Sequence, residues 1–228
     1  MVYGSRLLLI CGLLGCKAEL LGVELPRGGR DAISPEDLQR DTWMIARIPD
    51  RARDAEAVAQ GVSTRFQQMH TRPGYGRSYV DAAGDSRIVC AEKDGQSEHR
   101  VLIVAEDTGE STAGGAAPVA ALVSILKGFD TPALPPRGVI ACALIGAGAR
   151  ARFLQQPPLP LDGLDIRLIG PLGVGTPHEA PTTLGDHPAR QHALGEIPEP
   201  DAMESLDYRT LQEAVVALFD AVAAPVTP

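Results

Sequence analysis

The chain has 228 residues, 44% of them hydrophobic, enough to bury the core of one domain and too apolar for a disordered segment. A formal net charge of −8 argues against the basic surface that nucleic-acid phosphates require, so no nucleic-acid partner is expected. No apolar run approaches the roughly 18 to 20 residues of a membrane-spanning helix.

The first residues read as an export signal. Arg6 supplies a positive charge, and Leu7 to Gly15 is an apolar stretch too short to cross a bilayer. It ends in Leu13-Leu14-Gly15-Cys16, which resembles a bacterial lipobox. That resemblance implies removal of the segment before Cys16, discarding Cys11, and a membrane anchor formed by lipid on Cys16. Lys17, rather than Asp, follows the cysteine and resembles the outer-membrane default of such envelope proteins. The competing reading is a buried first strand with an incidental cysteine. The expected organisation is a signal over residues 1–16, a tether over 17–32 and one domain over 33–228.

Ser34-Pro35-Glu36-Asp37 predicts a helix start, with a Ser cap, Pro at the first helical position and an acid three residues after the cap. That helix is expected to reach Arg47. A second is expected from near Asp50, with Ala55, Val58, Ala59, Val62 and Phe66 on one face. Strands are expected at Arg77 to Asp81 and Arg87 to Glu92. Val101 to Ala105 is a continuous apolar run suited to a strand buried on both faces. A helix follows over Ala116 to Phe129, with Pro118 expected in its first turn. The loop between them, Glu106 to Gly115, lies at the carboxyl end of the strand, where open α/β sheets bind ligands.

Another apolar strand spans Gly138 to Ile145, then a helical piece to Gln156, and a further strand Leu164 to Ile169. Nine of the nineteen prolines lie between Pro157 and Pro200, which predicts irregular surface loop there. Ser205 to Ala223 is an amphipathic helix. Alternating strands and helices predict an α/β fold of three layers, α/β/α, around a mostly parallel mixed sheet.

Five segments in this order resemble the zinc aminopeptidase-type exopeptidases of metallopeptidase family 28. They are Ile33 to Asp41, the R-V-L-I-V-A strand, P-V-A-A-L in the helix after it, P-P-R-G-V-I-A-C-A-L, and Ile197 to Tyr208. The resemblance implies a zinc-exopeptidase-like fold with two metal ions at the carboxyl ends of the sheet. It does not carry the ligands across. The family's first His falls on Glu106 and a neighbouring Asp on Thr108. Its bridging Asp falls on Ala113 or Gly114, and its paired glutamates, one of them the base, on Ala147 and Gly148. A later Asp falls near Ile169 and the final His near Glu196. A two-metal site needs carboxylates and imidazoles converging on both ions. The expectation is therefore a catalytically inactive, peptidase-like envelope lipoprotein that binds a peptide or envelope protein, with no catalytic residues and no cofactor. The alternative is a divergent metal-dependent hydrolase using zinc at a rearranged site.

For that alternative, His178, His187 and His192, within fifteen residues, are the candidate imidazoles. Glu106, Asp107 and Glu110 give only three oxygen donors, too few for a calcium loop. No G-x-S-x-G elbow is present, and Ser111 has no base nearby in sequence. Gly146 to Ala149 mimics part of a dinucleotide fingerprint but lacks its third glycine. Cys90 and Cys142 sit in apolar strands, and the sequence leaves open whether they approach closely enough to pair.

Overall fold

The computed structural model describes residues 28–48, 54–109, 112–170, 178–195 and 203–225. The expected signal and most of the tether lie outside these. A short 3-10 turn, Arg30–Ala32, leads into α1 (Pro35–Ala46), followed by α2 (Ala55–Gln67). Strands β1 (Arg72–Pro73), β2 (Val80–Ala83), β3 (Ser86–Lys93) and β4 (Arg100–Asp107) precede α3 (Thr112–Gly128). Then come β5 (Gly138–Ile145), α4 (Ala149–Gln155), β6 (Asp165–Ile169), β7 (His178–Leu184), β8 (His187–Ala193) and α5 (Tyr208–Ala223).

The caps explain the helix starts. Ser34 Oγ accepts from the Asp37 amide at 3.1 Å, as the sequence signature requires. Helix α2 starts at Ala55, later than expected, because the Asp54 carboxylate accepts the Ala57 amide at 3.0 Å. Asp207 caps α5 through the amides of Arg209 and Thr210. Pro118 is not in a first turn: α3 begins at Thr112, so the ring lies inside the helix. The proline has no N–H to donate to the Gly114 carbonyl four positions earlier, so the helix gives up that bond.

The sheet order is β1-β3-β5-β4-β6-β8-β7, with β2 also paired to β3. Its centre, β5-β4-β6-β8, is parallel, and antiparallel pairs flank it: β3 against β5, β1 and β2 against β3, and β7 against β8. The strand expected at Arg77 to Asp81 starts instead at Val80, because Tyr75 and Ser78 close a small turn before it. The Pro-rich stretch is also not all irregular. Residues 178–193 form the β7–β8 hairpin, turning at Gly185-Asp186 with Gly185 at φ 60°.

The two sheet faces are covered unequally. One packs Val101, Ile103, Ala105, Val139 and Ala141 against α2 and α3, with α1 and α5 packed on α3. The other packs Leu102, Val104, Ile140 and Leu144 under α4 and the segment that follows it, through Phe153, Leu154, Leu159 and Leu161. The β3–β5 register sets Cys90 opposite Cys142, and the two form a disulfide with Cα atoms 4.2 Å apart. The question left open by the sequence is thereby answered: the pair joins an antiparallel edge to the parallel centre.

Candidate functional site

The carboxyl ends of β4, β5, β6 and β8 lie side by side, and their loops are pinned to one another. The Gly146 amide donates to the Asp107 carbonyl at 2.9 Å, and the Gly170 amide to the His192 carbonyl at 3.0 Å. Gly146 has φ 86°, and a Cβ there would stand 2.4 Å from the Asp85 carbonyl oxygen, so only glycine fits this corner. Ser86 Oγ donates to the Ala147 carbonyl at 2.7 Å, fixing the same turn from β3.

Alternation along β4 sends its two terminal acids to opposite faces. Glu106 points to the α4 side, where Arg150 donates to its Oε1 at 3.1 Å and to the Thr183 carbonyl at 3.1 Å. One arginine thus ties the ends of β4 and β7 together. Asp107 is 1% exposed, and its Oδ1 accepts the Gly109 amide at 2.9 Å, closing the first turn of the loop. Glu106 and Asp107 therefore do not turn their oxygens toward one point. Glu110 and Ser111 lie outside the described residues.

Of the other positions singled out from the sequence, Ala113, Gly114, Ala147, Gly148 and Ile169 are residue types with no ligating atom in the side chain. Thr108 is exposed, and Ala113 and Gly114 fall in the first turn of α3. Ala147 and Gly148 are exposed immediately before α4, and Ile169 is buried at 3%. Glu196 lies outside the described residues. Among the described residues, no three His, Cys, Asp or Glu side chains are placed to hold a metal ion. A two-zinc centre needs several carboxylates and imidazoles converging on both ions, and alanine, glycine and isoleucine side chains carry no atom that could ligate zinc.

The hairpin separates the three histidines rather than gathering them. His178 opens β7 opposite Ala193, and His187 sits beside the turn opposite Leu184. His192 lies opposite Glu179 and, five residues from His187, on the other face of the strand. His187 Nδ1 stands 3.4 Å from Asp162 in a shallow surface recess with Leu161 and Pro188.

His192 belongs to a partly buried charge network that no sequence signal was used to find. Its Nε2 lies 3.4 Å from an Arg167 amino group and 3.8 Å from the Glu179 carboxylate. Arg167 grips both oxygens of Asp165, at 2.8 and 3.0 Å, and Arg137 reaches Asp165 at 2.8 Å. Arg137 also donates to the carbonyls of Ala221 and Val222, at 2.7 and 2.9 Å, closing the last turn of α5. Burial holds the His192 imidazole below its ordinary pKa, and the Arg167 cation adds to that against the pull of Glu179. Burial pushes the Asp165 carboxyl up, but the hydrogen bonds and charges of Arg167 and Arg137 outweigh it and hold the group low. The signal was available: Asp165 and Arg167 share a strand face, and Glu179, Arg190 and His192 share the adjoining one.

No protein-family model matches the chain, and no curated protein matches it. Solved structures do. The chain is similar to a Zn-dependent exopeptidase from Parabacteroides distasonis ATCC 8503, with 12% sequence identity and a TM-score of 0.64 over 84% of this chain and 98% of that one. It is similar to the glutaminyl cyclase of Porphyromonas gingivalis at 12% identity and a TM-score of 0.62, covering 84% and 99%. The Legionella pneumophila LapA aminopeptidase matches at 9% identity and a TM-score of 0.57, covering 86% and 74%. At these identities the likeness establishes the fold: a mixed α/β sheet of the kind shared by Zn-dependent exopeptidases and glutaminyl cyclases.

Proposed function

We propose that this chain is a non-catalytic domain of exopeptidase-like fold that acts by binding a peptide or another envelope protein, held at the bacterial outer membrane by a lipid on Cys16. The observation that carries the first part is the donor set at the strand ends. Zinc held for catalysis takes three protein ligands of nitrogen, oxygen or sulfur and keeps one position open for water. Here Ala147, Gly148 and Ile169 stand where the resemblance would put such ligands, and Glu106 is engaged by Arg150. The rearranged-site alternative needs His178, His187 and His192 on one metal, and the hairpin register argues against it.

The lipid part rests on the lipobox resemblance and is supported by the Cys90–Cys142 disulfide, which persists in oxidising, extracytoplasmic compartments. Metal content and hydrolysis of aminoacyl and peptide substrates, measured on the purified chain with and without added zinc, test the first part. The expected result is no stoichiometric zinc and no turnover that a chelator removes. Stoichiometric zinc lost on replacing His187 and His192 by Ala would overturn it. Acyl labelling in a bacterial host, lost in Cys16→Ser, tests the second.

A further inference from the structure

The outward face of α1 carries side chains that contact with water alone does not explain. Leu38, Asp41, Thr42 and Ile45 turn into the protein. Glu36, Gln39, Arg40, Trp43, Met44 and Arg47 surround a shallow groove on the opposite side. Met44, 37% exposed, is one of two large hydrophobic side chains exposed among the described residues. Trp43, the only tryptophan in the chain, packs one edge on the core with its indole nitrogen buried, and the Arg47 guanidinium lies 4.1 Å above its ring, so Met44 and Arg47 are the more exposed part of this face. Arg40 is neutralised by Asp37 at 2.7 Å and Asp41 at 3.3 Å. Among the described residues no carboxylate pairs with Arg47, and a guanidinium lying over an aromatic ring can still donate to a phosphate.

A tryptophan stacked under an arginine, flanked by a methionine, suits the boundary between lipid headgroups and acyl chains. The chain's entry into the domain says what brings such a boundary near. The Gly29 amide is bonded to the Gly128 carbonyl at 2.7 Å, and α1 begins six residues later. The 12 residues from Lys17 to Gly28 extend at most about 40 Å. Trp43 lies about 12 Å along α1 from Pro35. An anchor at Cys16 therefore holds this face within reach of the bilayer, where even a weak contact is favoured by high effective concentration. With a net charge of −8, an unanchored chain has no long-range attraction to an anionic membrane, so the contact depends on the anchor.

Resting on the lipid-anchor reading above, we propose that the Trp43–Met44–Arg47 face of α1 is a membrane-docking surface that lays the domain on the bilayer to which Cys16 is tethered.

Because Trp43 is the sole tryptophan, its emission reports this contact directly. The full chain, acylated in a bacterial host, is reconstituted into phosphatidylethanolamine–phosphatidylglycerol vesicles with brominated acyl chains. Docking predicts a blue shift and loss of most Trp43 emission to bromine quenching. In the double variant Met44→Glu, Arg47→Glu, emission is expected to return while the protein stays vesicle-bound. Acylated, vesicle-bound protein that keeps its full emission would overturn the docking surface and leave the anchor standing. A blue shift that depends on protein concentration without vesicles would assign the face to a second copy instead. If Cys16→Ser changes neither acyl labelling nor vesicle binding, the anchor fails and the docking surface with it.

Discussion

His192 sits where protonation is opposed by its surroundings. The ring is 9% exposed, Arg167 on β6 and Arg190 on its own strand repel a second positive charge, and only Glu179 on β7 and Asp165 on β6 favour one. Its folded pKa lies below the ordinary value of 6.5. As pH falls through 6.5, the unfolded chain takes up a proton that the folded ring refuses, so unfolding becomes easier. The contribution of this residue to stability is fully present above that value. It declines below it until the folded ring itself protonates. We expect the His192 resonances to titrate below pH 6.5, and the urea midpoint to fall on acidification from neutral pH. His192→Gln should flatten that slope, separating this residue from carboxylates that titrate lower. A ring that titrates above its ordinary value would sink the argument. The network also shows why a cluster of histidines in sequence is poor evidence for a metal: strand alternation parts His187 from His192, and the Nε2 of His192 faces an arginine cation.

At the scale of elements, the disulfide gives the clearest expectation. Strands β1 and β2 pair only with β3, so the antiparallel edge is joined to the parallel centre through β3 on β5 and the Cys90–Cys142 bond. The bond closes a 52-residue separation, for which loop-closure entropy in the unfolded chain amounts to about 4 kcal/mol, with measured effects usually about 2–4 kcal/mol. Replacing both cysteines by alanine should lower the unfolding free energy by about 2–4 kcal/mol in chemical denaturation. An unchanged midpoint would show that the sheet register alone holds this edge. The elements around the bond were legible because their signals are strong and local. Val101 to Ala105 and Gly138 to Ile145 are unbroken apolar runs, and Ser34-Pro35 marks a helix start. The β7–β8 hairpin was not legible, because its prolines resemble loop punctuation. Its register gives the physical reason they are tolerated. Leu184 and His187 bracket a two-residue turn, and alternation from there directs the missing N–H of Pro181 to the free edge of the sheet, where no ladder bond is lost. The site was legible only in part. The loop after β4 is where the sequence put it, but the Arg150 partner of Glu106 lies 44 residues away, and nothing local announces it.

Across the whole molecule, the unequal covering of the sheet has a thermodynamic consequence. Four helices and a large apolar cluster bury one face, whereas the other is closed by the seven residues of α4 and the segment after it. A seven-residue helix does not persist in water on its own propensity, so α4 exists because Ala149 and Phe153 are packed beneath it. The same helix carries Arg150, bonded to Glu106 and Thr183, and Arg152, bonded twice to Asp81. Phe66 and Phe153 are both fully buried, and truncating either to alanine should remove about 3–5 kcal/mol. The two losses should differ in extent. Phe66 lies in the cluster that binds α1, α2, α3 and α5 to the sheet, so Phe66→Ala should speed amide exchange throughout by weakening the global barrier. Phe153→Ala should release α4 and the segment behind it first, together with the ties they make to β2, β4 and β7. Amide exchange over residues 149–164 should therefore accelerate well before that of α1, α3 and α5. A uniform acceleration in Phe153→Ala would mean that the thin layer is as tightly coupled to the fold as the thick one, and that the sheet unfolds only as a whole.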